Sequence, residues 1–191
     1  MKKYIIGAAA LVFAMTLNAQ TEVLKIELTD GSVQTIDIST IEKMTFEVSE
    51  PSMAEVYAGD YTGTNSLNVG GMFNYSAQVS CHITANADGT INFTWDQYSI
   101  PGTQMGDLTL GTCTIANIAY DEAQGVFYRD YSNDGIKQHF TAVGSMNMDN
   151  DYVLGSTSTI TIKKTADGIE VTNPFKLGAM PLPLTSTFVS H

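Results

Sequence analysis

The sequence predicts an all-β protein: an eight-stranded antiparallel up-and-down barrel preceded by a short N-terminal β-hairpin arm. Three observations lead there. Short segments alternate apolar and polar residues, as in Ala77, Val79, Cys81 and Ile83 set between Gln78, Ser80, His82 and Thr84, and period-two alternation is the mark of a strand with one buried face. Turn signals divide these segments, among them Asp88-Gly89, Ser132-Asn133-Asp134-Gly135 and Thr165-Ala166-Asp167-Gly168. No long helical pattern occurs, and a meander of about eight strands can close on itself and remove both edges.

Residues 1–19 read as a signal peptide. Lys2 and Lys3 start it, Tyr4 to Leu17 form a short apolar run, and Leu17-Asn18-Ala19 is a cleavage site that leaves Gln20 first. The apolar run is shorter than the ~20 residues a spanning helix needs. Gln20 stands where a lipoprotein would need Cys, and no later stretch is long and apolar enough to span a membrane. Residues 20–50 read as an arm. Leu24, Ile26 and Leu28, then Asp30-Gly31, then Ile36 and Ile38 give a hairpin, Ser39-Thr40-Ile41-Glu42 fits a capping box for one helical turn, and Met44 to Val48 is a further short strand. Residues 51–55 read as a linker around Pro51, and residues 56–191 as the barrel domain.

Within the barrel domain the first hairpin has a register that can be derived. The apolar rows of Met72–Thr84 and Thr90–Tyr98 are both odd-numbered, so opposed residues must have an even sum. A three-residue loop, Ala87-Asp88-Gly89, satisfies this, with Gly89 at positive φ, Ile83 opposite Phe93 and Cys81 opposite Trp95. A third strand is expected over Asp107–Ile118 after a loop at Pro101-Gly102. Its phase changes between Leu108/Leu110 and Cys113/Ile115, which suggests a bulge or sharp bend at Gly111-Thr112. Tyr57–Val69 is the first strand of the domain, and Val126–Tyr131, Ile136–Gly144, Tyr152–Lys164, Ile169–Asn173 and Leu184–Ser190 complete the strand set, with Ser145–Asp151 as a polar loop and a four-residue loop at Thr165–Gly168.

Charge excludes one class of partner. Twenty acidic residues face nine basic ones, and loss of Lys2 and Lys3 on cleavage leaves seven, a net charge of −13 over 172 residues. No basic stripe exists to neutralise phosphates, so nucleic acid is not expected as a partner. The chain lacks Gly-x-Ser-x-Gly, His-Glu-x-x-His and Cys-x-x-Cys, and neither a cofactor nor a metal is expected. His82, His139 and His191 are far apart in sequence. The run Met146-Asn147-Met148-Asp149-Asn150-Asp151 has oxygen ligands for calcium, but turn chemistry explains it, and the Gly and distal Glu of an EF-hand are missing.

The candidate site is the barrel interior: Cys81, Ile83, Phe93, Trp95 and Met105 as the apolar set, with Phe127 and Arg129 beside it. An eight-stranded barrel is either filled by such side chains or holds one small ligand. Arg129, the only arginine, shares a row with Phe127 and Tyr131. Facing inward it would bind a carboxylate or an internal acid; the bland reading is an exposed row at the rim. Cys81 and Cys113 lie on strands separated by the Trp95 strand, which predicts two buried free thiols unless the barrel is bulged or bridged across its interior.

The segments Gly59-Asp60-Tyr61-Thr62-Gly63-Thr64, Asp88-Gly89-Thr90 and Met105-Gly106-Asp107-Leu108 resemble the calycin-like β-barrel domain of exported proteins from Gram-negative gut bacteria. The stretch from Leu28 to Phe46 is similar to an N-terminal arm of such proteins. The resemblance implies a lipocalin-like barrel and carries no known activity with it. True lipocalins open with Gly-x-Trp, where this chain has Gly59-Asp60-Tyr61, and they pack a basic residue of the last strand over that Trp, where Leu184–Ser190 has none. The expected function is an exported, periplasmic or extracellular, non-enzymatic barrel that binds a small apolar ligand. The alternative is a filled barrel that acts as an interaction module for an envelope or surface protein. An enzyme using Arg129 and His139 ranks last.

Overall fold

A computed structural model describes residues 23–28, 30–43 and 50–191. The chain divides into two units, Met1–Ser49 and Glu50–His191. In the first, β1 (Val23–Glu27) and β2 (Val33–Asp37) form the expected antiparallel hairpin, with Leu24 opposite Ile36. A 3-10 turn (Ile38–Thr40) follows, capped by Asp37, whose carboxylate accepts from the Ser39 N–H at 3.0 Å. The capping box expected at Ser39 is thus replaced by an Asp cap two residues earlier. The signal peptide and the Met44–Val48 strand lie outside the described residues.

The second unit opens with α1 (Met53–Tyr57). The capping box appears here, inside the stretch read as a linker. The Ser52 hydroxyl accepts from the Glu55 N–H, and Glu55 returns a carboxylate to the Ser52 N–H at 2.8 Å. Burial of Ala54 and Tyr57 gives this short helix the packing it needs.

Twelve strands follow: β3 (Gly59–Val69), β4 (Phe73–Ala85), β5 (Ile91–Trp95), β6 (Tyr98–Thr103), β7 (Gly106–Leu110), β8 (Cys113–Asp121), β9 (Val126–Asp130), β10 (Lys137–Val143), β11 (Met148–Val153), β12 (Thr159–Lys164), β13 (Ile169–Phe175) and β14 (Leu184–Ser190). Eight of them, β3-β4-β5-β8-β9-β12-β13-β14, close into an antiparallel barrel in chain order. The other four form a second sheet, β11-β10-β7-β6. The barrel is therefore a meander interrupted twice, and each interruption is a hairpin (β6-β7, then β10-β11).

This arrangement corrects the strand list while keeping the strand number. The expected third strand, Asp107–Ile118, is two strands in two sheets, and the phase change at Gly111-Thr112 marks where the chain leaves one sheet for the other. Ile136–Gly144 belongs to the second sheet. The Pro101-Gly102 loop and the polar loop at Ser145–Asp151 contain β6 and most of β11. Hairpin physics survives intact: Ile83 faces Phe93, Cys81 faces Trp95, Gly89 has φ +84, and Lys164 faces Ile169 across a four-residue loop.

Both hairpins leave from the barrel end where β5 and β9 finish, so the second sheet covers that upper end. Its inward residues Ile100, Leu108, Leu110, Phe140 and Ala142 are buried in one core with the barrel. At the lower end, α1 covers the opening. The Tyr57 ring stacks edge-on against Phe127 at 4.9 Å, its hydroxyl accepts from the Lys164 N–H at 3.0 Å, and the Tyr61 hydroxyl donates to the Tyr57 carbonyl at 2.7 Å.

Two glycines test this packing differently. At Gly89 a Cβ would meet nothing within 4 Å, so only the positive φ opposes a side chain. At Gly63 a Cβ would lie 2.2 Å from the Val189 carbonyl oxygen and 2.7 Å from the Ser190 Cα. Gly89→Val is expected to cost ~1–3 kcal/mol. Gly63→Ala is expected to cost more, because backbone has to move and the β14–β3 ladder opens. Denaturant midpoints at unchanged slope give the comparison, and an unchanged midpoint for Gly63→Ala would contradict the close strand approach. A chain beginning at Glu50 retains all of α1 and its cap. It is expected to melt cooperatively, and loss of that transition in calorimetry would tie the arm to the barrel's stability.

Candidate functional site

The barrel interior is built by rows of inward side chains. Cys81, Trp95 and Cys113 are opposed in turn on β4, β5 and β8, and Ile83, Phe93 and Ile115 form the next rung. Phe93 meets Trp95 at 4.7 Å and Phe188 meets it at 5.6 Å, both edge-on. Val171, Ile160, Ile162 and Ile118 fill the space between and are fully buried. Of the predicted interior residues, Cys81, Ile83, Phe93, Trp95 and Phe127 lie here. Met105 does not: it sits in the turn joining β6 to β7 of the second sheet, half-buried, with its carbonyl accepting from the Met146 N–H.

Arg129 also stands apart from the lumen. Between Ile115 and Ile118 the β5–β8 register shifts, with Asn117 at φ +54. Arg129 donates to the Ala116 carbonyl exposed by this bulge and pairs with Asp134 at 2.6 Å. Its charge is spent on holding a bulge to a turn. His139 lies elsewhere, beside Asp149 and Asp151, so the imagined Arg129–His139 pair does not form.

Sequence reasoning missed a polar layer under the second sheet. The Ser186 hydroxyl donates to Asn65 Oδ1 at 2.7 Å, and Asn65 donates to the Tyr98 hydroxyl at 3.2 Å. Asn173 donates to the Tyr131 hydroxyl and to the Thr159 carbonyl, and Gln138 donates to the Gly111 carbonyl at 2.7 Å. Among the described residues no buried side-chain polar atom lacks a partner. The signal was positional: Asn65, Asn173 and Ser186 occupy inward places in rows otherwise filled by Leu67, Val171, Phe175, Leu184 and Phe188. A cavity of about 10 Å³ remains here, lined by Trp95, Tyr98, Cys113, Gln138, Asn173 and Ser186 among others. That volume admits roughly one water molecule.

Both cysteines are free and buried. Two strand spacings separate them, roughly 10 Å, beyond the ~7 Å limit for a bridge. Burial pushes the Cys81 thiol up to about 12, with Asp96 adding to the effect, and the Cys113 thiol up to about 11.

Outside the lumen, His82 on β4 lies between two carboxylates. Its Nδ1 is 2.7 Å from Asp60 Oδ1, and its Nε2 is 3.0 Å from both oxygens of Asp96. The hydrogen bond to Asp60, then that to Asp96, raise its pKa above the ordinary value. No group of three or more His, Cys, Asp or Glu side chains among the described residues could hold a metal ion.

The thiolate is the reactive form, so the raised thiols and their burial predict slow chemistry. A maleimide or disulfide reagent at pH 8 is expected to leave both cysteines unmodified in the native protein and to modify two per chain after denaturation. Rapid modification of either in the native state would show that the second sheet opens.

The family model of the calycin-like beta-barrel domain matches residues 57–191. A crystal structure of a "putative outer membrane protein" from Bacteroides fragilis is similar, with a TM-score of 0.51 at 17% identity, covering 88% of this chain. This chain spans 65% of that protein's length. No curated protein matches the sequence significantly. The matched region begins at the last residue of α1 and takes in all twelve strands of the barrel unit, and the chain belongs to the calycin-like β-barrel domain family.

Proposed function

We propose that this chain is a non-enzymatic, filled barrel that serves the cell envelope or cell surface as a structural or interaction module. The observation that carries this reading is the state of the lumen. Aromatic and branched side chains fill it, α1 and the second sheet cover its two ends, and the cavity under the second sheet measures about 10 Å³. A drug-sized ligand needs a pocket of roughly 300–1,000 Å³. A cavity of that size among the described residues gives the ligand-holding alternative, a lipocalin-like cup, little support.

Placement in the envelope or beyond rests on the expected signal peptide and on the likeness to the Bacteroides fragilis protein named as an outer membrane protein. The exterior supports a wet location. Asn74, Ser76, Gln78 and Ser80 on β4, Thr159, Thr161 and Lys163 on β12, and Thr185 and Thr187 on β14 take the outward places. A barrel that crosses a membrane has the reverse pattern, with an apolar outward band and a polar interior. Export, lack of catalysis and use as a module are all parts of the proposal.

A neutral acyl-chain probe titrated against the intact protein tests it, with Trp95, the single tryptophan, as reporter. No saturable change in emission is expected, and Trp95 should be blue-shifted and poorly quenched by acrylamide, as its 6% exposure implies. Saturable binding at one site per chain, with stability rising as probe is added, would overturn the filled-barrel reading in favour of a ligand carrier.

A further inference from the structure

Three strands meet at the outer surface directly behind the Cys81–Trp95 rung. β3 supplies Asp60, β4 supplies His82, and Asp96 begins the two-residue crossing, Asp96-Gln97, by which the chain leaves the barrel for β6 of the covering sheet. We propose that Asp60–His82–Asp96 is a proton-operated latch that fastens this crossing, and with it the adjoining edge of the covering sheet, to the barrel wall.

The argument is one of hydrogen-bond inventory. An ionised carboxylate only accepts, and a neutral imidazole has one donor nitrogen and one acceptor nitrogen. Each nitrogen of His82 faces a carboxylate, at 2.7 Å and 3.0 Å. Both bonds exist together only in the imidazolium. Deprotonation turns one of them into a contact between a lone pair and an anion. The elements packed beside His82 offer no competing charge: β3 presents Asp60 and uncharged Thr62, β5 presents Thr94, its neighbours along β4 are Ser80 and Thr84, and Asp96 completes the set. Asp96 is held independently through its N–H, which donates to the Ser80 carbonyl at 3.1 Å, so the latch adds to an existing bond and does not create the fold.

The direction follows from the sign of the shift. His82 has a raised pKa in the folded chain. Its contribution is fully present below the unfolded value of about 6.5 and is lost as pH rises through the folded value. The latch is closed in mildly acidic surroundings and relaxes in alkaline ones. His82 is 41% exposed, and its partners Asp60 and Asp96 are 87% and 43% exposed, so water and salt screen it and the effect is local. The second histidine between aspartates, His139, lies 2.9 Å from Asp151 and 3.4 Å from Asp149 within the covering sheet, and these contacts do not reach the barrel wall.

The test follows His82 and the Asp96 amide by nuclear magnetic resonance in the full chain. His82 is expected to titrate above 6.5, and Asp96→Asn, which keeps an acceptor but removes the charge, is expected to move that titration downward. The hydrogen-exchange protection of the Asp96 amide, corrected for the intrinsic pH dependence of exchange, should fall roughly two- to fivefold on crossing the His82 titration, the scale of an exposed ion pair. In His82→Gln that step should vanish. High salt should flatten it in the wild type. The proposal is overturned if His82 titrates at or below 6.5, if Asp96→Asn leaves its titration unmoved, or if Asp96 protection shows the same pH dependence in the wild type and in His82→Gln.

Discussion

The ladder between β14 and β3 is the interaction on which the rest depends. Ser186 opposite Leu67, with Phe188 opposite Asn65 beside it, joins the last strand of the wall to its first. Once those strands pair, no barrel edge is left, and each inward side chain must share a lumen of fixed width. Eight strands leave an interior just wide enough to be filled. Leu, Ile, Val, Phe and Trp at the inward places then fill it, since packed interiors leave few voids larger than water. Closure also explains the bulge at Asn117, which changes the phase of β8 as the sheet curls, and the use of the only arginine to satisfy the carbonyl that the bulge exposes.

A closed wall still has two open ends, and this chain covers both with its own segments. The lower cover is a five-residue helix, too short to persist alone, held by burial of Ala54 and Tyr57 and by Lys164. The upper cover is larger. The β6-β7 and β10-β11 hairpins rise from neighbouring parts of the rim and pair with each other through β7 and β10, where Phe140 faces Leu110. Between that sheet and the apolar rungs lies a polar layer of Asn65, Tyr98, Tyr131, Gln138, Asn173 and Ser186. Such groups are tolerated in a low-dielectric interior only when paired, and here the partners come from both sheets. Gln138 of β10 donates to a carbonyl at the junction of β7 and β8, and Tyr98 of β6 receives Asn65 of β3. The layer therefore binds cover to barrel with directional bonds where apolar contact alone would allow sliding.

On the proposed reading, this arrangement differs from two better-known uses of a β-barrel. A ligand-carrying cup keeps one end open and its lumen empty, and a membrane pore turns its apolar face outward. Here the lumen is filled, both ends are covered and most outward places are occupied by Thr, Ser, Asn, Gln and a few charges, with Tyr128 and Val189 among the exceptions. On the proposed reading, recognition is a property of the surface and loops, and fold likeness carries little of that information.

The sequence by itself determined the class of fold, the polarity of each hairpin face and the register of two hairpins. These are local matters: period-two alternation sets the face, and parity plus a glycine at positive φ sets the loop. Cys81, Ile83, Phe93, Trp95 and Phe127 were legible as interior for the same reason. The tertiary structure alone decided which strands make the wall. Leu108 and Leu110 alternate as well as Cys113 and Ile115 do, and alternation says that a strand has a buried face without saying which sheet buries it. Met105 was misplaced by that ambiguity, and Arg129, although opposite Ile160 as its row implies, turns its guanidinium to a carbonyl of the bulged β8 and to Asp134. Whether the lumen is empty also lay beyond the sequence, because the space left inside depends on how side chains from eight strands and two covers meet, a sum over contacts between residues more than a hundred positions apart.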